Sequence, residues 1–173
     1  MPTRTLFWLL AVLIPAALLG AVSDFSGSWD LVPQKSTPIS FYQTLSLEMQ
    51  CQGDQLTLIQ KWGSRSRDRF QDTVRLVTNG KKHTVALQHQ VAPATVFLGL
   101  ANIPEGSRKM SATWNKDATK LTVTEQVEVN TSQGKAELNT VHTYQVSPLE
   151  QLMTYTIQRD TRDPKASPVY TLK

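Results

Sequence analysis

The chain reads as all-β: an antiparallel up-and-down β-barrel of about 8–10 strands. Three observations lead there. From Phe41 onward apolar and polar residues alternate with a period of two; turn residues separate the alternating segments; and no stretch sustains the 3.6-residue apolar spacing of a helix.

The N-terminal stretch stands apart from that pattern. Arg4 is the one charge before an apolar run at 6–19, and the run ends in Gly20-Ala21-Val22-Ser23, with Ala21 and Ser23 placed as the small residues of a cleavable site. The run is shorter than the roughly 20 residues a bilayer core demands. A signal peptide over 1–23 is therefore expected, then one β-barrel domain over 24–173. The address is secreted or periplasmic, with no integral membrane span after cleavage.

A first strand falls around 28–32. Leu45, Leu47, Met49 and Cys51 then alternate with Ser46, Glu48 and Gln50, and Gly53-Asp54 turns the chain into Leu56, Leu58, Gln60 and Trp62. That is a hairpin. A second hairpin is predicted from Phe70, Val74 and Leu76, the Asn79-Gly80 turn, and Val85, Leu87 and Val91 on the return. The segment 91–103 is apolar but lacks clean alternation. It reads either as a buried strand or short helix plugging the barrel, or as a lid over it. A third hairpin pairs Met110, Ala112 and Trp114 with Leu121, Val123, Val127 and Val129. A turn at Gly134 leads back through Ala136, Leu138, Tyr144 and Val146. After Pro148 one more strand spans about 151–159, and Val169 to Leu172 close the chain.

Size and charge narrow the function. The 18 Lys and Arg against 14 Asp and Glu are spread without a basic run, so no nucleic acid partner is implied. Faces opposite the apolar sets carry Glu48, Lys61, Arg69, Arg75, Lys109, Lys120 and Glu128, a belt that lipid would not tolerate around a membrane barrel. One cysteine rules out an intramolecular disulfide, and the alternation makes Cys51 a small buried hydrophobe rather than a nucleophile.

Residues Phe25, Gly27, Trp29 and Leu31, followed by Lys35 and Ser36, read FxGxWxL and then KS. They resemble the opening of a group of small secreted bacterial proteins of lipocalin-like, calycin type. The resemblance continues more weakly through 72–85, through Trp114 to Glu125, and in Val169-Tyr170-Thr171-Leu172. It implies a lipocalin-like barrel in which Gly27 and Trp29 form a structural motif, with the Trp packed across one end against a late basic side chain. Arg159 and Lys173 are eligible, and Arg159 is preferred because it shares parity with Met153, Tyr155 and Ile157. Where such relatives usually have Asp-Gly before the penultimate strand, this chain has Ser147-Pro148-Leu149-Glu150-Gln151.

Parity also places polar residues on inner faces: Asp72, His83, His89, Glu125, His142 and Arg159. Buried charges must be paired, hydrated or bound by a ligand. Three outcomes are open. The first is a salt-bridge network of Asp72, Glu125 and Arg159. The second is a cavity whose polar groups orient a ligand's head, and the third is a metal site using His142 with Glu125 and one of His83 and His89. Those two histidines, six residues apart, span about 20 Å of strand and cannot share one ion.

No nucleophile elbow, zinc-protease motif or phosphate-binding loop is present. The expected function is non-enzymatic binding of a small hydrophobic or amphipathic molecule inside the barrel. Trp62, Trp114 and Tyr144 would supply apolar contacts, and Glu125, His142 and Arg159 would orient a polar end. No catalytic residue, metal or cofactor is expected. The alternative is a filled barrel acting on an envelope protein partner through the charged loops at 61–68 and 160–167, and a barrel enzyme using Glu125 or Asp72 with His142 is a third reading.

Overall fold

A computed structural model describes residues 24–38, 43–63, 69–87, 106–131, 134–160, 165 and 167–173. Among these lie ten strands: β1 (Gly27–Asp30), β2 (Thr44–Gln52), β3 (Gln55–Gly63), β4 (Arg69–Val77), β5 (His83–Ala86), β6 (Ser107–Trp114), β7 (Lys120–Thr131), β8 (Gly134–Ser147), β9 (Leu152–Arg159) and β10 (Val169–Leu172). One short 3-10 turn, Pro33–Lys35, follows β1. No helix among the described residues is long and apolar enough to cross a membrane. The leader expected at 1–23, His89 and the segment 91–103 lie outside the described residues.

The strands form two antiparallel sheets, β1-β2-β3-β4 and β10-β9-β8-β7-β6-β5. Within each, neighbours in sequence are neighbours in space, as an up-and-down meander requires. Leu31 bridges Leu172, and the backbones of Asp30 and Lys173 exchange hydrogen bonds at 2.8 Å, joining the start of one sheet to the end of the other.

The opposite junction departs from the expected second hairpin. Asn79-Gly80 does turn the chain: Gly80 takes φ +73° and the Lys81 amide donates to Asn79 Oδ1. Yet β4 pairs with β3 and β5 pairs with β6, so the two arms belong to different sheets. The tip is tied to β6, because Gly80 N–H donates to the Ala112 carbonyl and Asn79 bridges Thr113. A seam thus opens between β4 and β5. At the later turn, Gln151 takes φ +51° and Ser147 pairs with Leu152, so the Ser147 to Gln151 sequence keeps β8 and β9 in register.

Alternation becomes burial. β3 buries Leu56, Leu58, Gln60 and Trp62 while Lys61 faces out and pairs with Glu48 of β2. One apolar cluster draws on both sheets, with Leu47, Met49, Leu121, Tyr144, Met153, Tyr155 and Leu172 almost wholly enclosed. Each such side chain contributes about 1.5–3 kcal/mol. Val127, Val129 and Leu138, with Leu87 against them, form a second cluster further along the β7–β8 hairpin.

Phe25, Trp29 and Trp114 are grouped at one end of the first cluster. The Trp29 indole N–H donates to the Phe25 carbonyl at 3.1 Å, and Phe25 meets Trp114 edge to face at 4.8 Å between centroids. Gly27 takes φ +140°, and a Cβ there would meet nothing within 4 Å. The glycine is demanded by its backbone angle rather than by crowding. The preference for Arg159 as the partner of Trp29 is corrected by the register. Leu31 is level with Leu172 and Leu172 with Met153, so Arg159 lies six residues, roughly 20 Å, beyond that junction. Trp29 is on the junction's other side.

Candidate functional site

A belt of polar side chains crosses the interior between the two apolar clusters. β7 shows the layering directly: Leu121 and Val123 lie below Glu125, Val127 and Val129 above it, and all five are buried. The strict alternation of β7 leaves Glu125 no outward option, so its charge must be met inside.

Arg108 meets it. On β6 its parity with Met110 and Ala112 turns it inward, where it is 3% exposed. Nη1 donates to Glu125 Oε1 at 3.0 Å and Nη2 to Asp72 Oδ2 at 2.5 Å. The other Glu125 oxygen receives His142 Nε2 at 3.2 Å, and His142 Nδ1 lies 2.9 Å from the Tyr155 hydroxyl. Because Glu125 is an acceptor, Nε2 is the imidazole nitrogen that carries the hydrogen on this side. Gln60 completes the belt, its amide donating to Tyr144 at 2.8 Å and to Tyr155 at 3.4 Å.

Sheet register explains why these residues meet. Met110 pairs with Glu125, Val123 with His142 and His142 with Ile157. The steps Arg108 to Glu125, Glu125 to His142 and His142 to Tyr155 are therefore diagonal contacts, about 7–8 Å between backbones and within reach of long side chains. Tyr144 and Tyr155 face each other directly and stack at 4.6 Å, 4° from parallel. Asp72–Arg108 and Gln60–Tyr144 each tie one sheet to the other.

The electrostatics follow. Burial pushes the Glu125 carboxyl up, but the His142 hydrogen bond and the Arg108 and His142 charges outweigh it and hold the group at about 2. Burial also works against the Arg108 guanidinium, and the charges of Glu125 and Asp72 more than offset it, raising its pKa. The Tyr144 and Tyr155 phenols are pushed up by burial, so both remain neutral donors. Arg108 Nε is buried and has no hydrogen-bond partner among the described residues; the same is true of His83 Nε2.

The sequence-predicted residues are only partly gathered here. Glu125, His142 and Tyr144 join the belt, and Asp72 stands at its end. Trp62 is buried edge to face against Tyr170 at 5.9 Å. Trp114 is half-buried at the Phe25 end, away from Glu125 along β7. Arg159 is 8% exposed and its charge acts on the Tyr170 hydroxyl, whose pKa burial raises. The cation seen to hold both carboxylates is Arg108, which the sequence reading had not singled out; Gln60 and Tyr155 were missed as site residues too. The same parity test would have found all three. No group of three or more His, Cys, Asp or Glu able to hold a metal occurs among the described residues. Most of the loop at 61–68 and much of that at 160–167 lie outside them.

The sequence matches no family and no curated protein. Two solved structures are similar in fold. One is a fatty acid transporter, REP1-NXSQ, at 9% identity over 87% of this chain and 96% of that one, with a TM-score of 0.49. The other is the fatty-acid-binding protein of Manduca sexta, at 12% identity over 86% of this chain and 97% of that one, with a TM-score of 0.43.

Proposed function

We propose that this protein is a secreted, non-enzymatic carrier that holds a small apolar or amphipathic molecule within its barrel. The observation that carries the reading is the unfilled hydrogen-bonding capacity of Arg108 Nε in a polar belt between two apolar clusters. A buried donor without a partner costs about 1–3 kcal/mol, and a ligand's polar atom seated there recovers it. An apolar body with one polar end suits a belt lying between two apolar clusters. The leader-like sequence at 1–23 supports export, and with one cysteine the domain is held together by its core.

Native mass spectrometry of the mature protein, purified without detergent or organic solvent, tests this. A mass excess that solvent denaturation releases as an organic compound is expected. A bare protein mass, unchanged after exposure to lipid extract, would sink the carrier reading and turn attention to a protein partner at the surface loops.

A further inference from the structure

Resting on the carrier reading, we infer that the occupant's polar end is uncharged and oxygen-bearing, as in an alcohol, ester or amide, and not a free carboxylate. A buried Arg invites the opposite conclusion, but this one is already spoken for. Both of its terminal nitrogens are engaged, by Glu125 and by Asp72. Nε is the one nitrogen of this guanidinium without a partner among the described residues.

Two-pronged recognition of a carboxylate would have to join Nε–H to a second N–H on a terminal nitrogen that already serves Glu125 or Asp72. An incoming carboxylate at Nε would also lie beside the Glu125 and Asp72 carboxylates in a poorly screened interior, with like charges repelling. The other inward charges do not reverse this. His142 is committed to Glu125 and Tyr155, while Arg159 is placed level with Thr140 and acts on Tyr170.

His83 extends the match. It pairs with Met110, two residues from Arg108 on the same face of the β5–β6 ladder, and its Nε2 is another buried nitrogen without a hydrogen-bond partner among the described residues. A hydroxyl, or a primary amide, has both the acceptor that Arg108 Nε–H calls for and a donor for an imidazole nitrogen. An ester carbonyl satisfies the first and leaves the second to water.

Three probes of one chain length separate the possibilities: hexadecanol, hexadecanoic acid and hexadecylamine, each competed at pH 7.5 against a displaceable fluorescent probe on the delipidated mature protein. The alcohol should bind at least about tenfold more tightly than the acid, ~1.4 kcal/mol. In the Asp72→Asn, Glu125→Gln double variant the acid should gain at least that factor, because the Arg108 charge is released. An acid that binds wild type as well as or better than the alcohol overturns the inference while leaving the carrier reading intact. Tightest binding by the amine also overturns it, since the site would then be selecting positive charge. If none of the three displaces the probe, the carrier reading itself fails for this ligand class, and the inference fails with it. Should the double variant not fold, the wild-type ranking decides alone.

Discussion

Arg108 on β6 reaches across the seam between the two sheets to Asp72 on β4, with Nη2 and Oδ2 2.5 Å apart. No ladder joins β4 to β5, so this ion pair holds together a flank that backbone hydrogen bonds leave open. The same guanidinium anchors Glu125. One side chain therefore serves both the closure of the fold and the polarity of its interior.

Arg108→Met should be among the most damaging single substitutions in the chain. It strands two buried carboxylates, and breaking such a group by removing one partner costs about 3–5 kcal/mol. Adding Asp72→Asn and Glu125→Gln to Arg108→Met should return at least half of the loss, because the stranded charges go with it. Urea denaturation of the three proteins measures both steps. No recovery in the triple variant would mean that Arg108 acts through packing alone.

Acid should weaken the barrel through Glu125. Its carboxyl is lowered from 4.5 to about 2 in the folded protein. A depressed carboxylate pKa stabilises above the unfolded value, and the benefit is lost as pH falls from 4.5 through about 2. The whole contribution is ~3 kcal/mol. Between pH 6 and pH 3 the wild type should lose about 2 kcal/mol that Glu125→Gln does not lose. Equal pH slopes in the two proteins would show that the Arg108 and His142 contacts do not bias this group.

How far this was legible from sequence depends on whether a feature is local. The alternation in Leu45 to Cys51 and Leu56 to Trp62 shows as a hairpin because both arms and their turn are contiguous, and the ladder follows it residue for residue. Asn79-Gly80 is just as clear a turn, but a turn signal does not say what its arms pair with. Gly80 bonds to Ala112, more than thirty residues on, and nothing in the dipeptide encodes that. Arg108 was hidden for another reason. Ser107-Arg108-Lys109 looks like an exposed polar patch, and only parity with Met110 and Ala112 separates the buried Arg108 from the exposed Lys109. Glu125 stood out because β7 is apolar on both sides of it.

Gln60 should act as a strut between the sheets. Its amide donates to Tyr144 and Tyr155, and Gln60→Leu leaves two buried hydroxyls without that donor. The expected cost is about 1–3 kcal/mol. In a Tyr144→Phe background the same change should cost less than half as much, since the shorter of the two bonds is already gone. A full cost in both backgrounds would assign the effect of Gln60 to shape and not to hydrogen bonding.

Cys51 should be a sluggish thiol. It is half-buried on β2 against the main apolar cluster, and burial raises its pKa despite the neighbouring Ser26 hydroxyl. The thiolate is the reactive form, so raising the pKa and restricting access both slow attack. Reaction with a disulfide reagent at pH 8 should run at least about tenfold slower in the folded protein than in urea, with one thiol titrated in each state. Fast labelling of the folded protein would place Cys51 among reactive groups and undo its assignment as a packing residue.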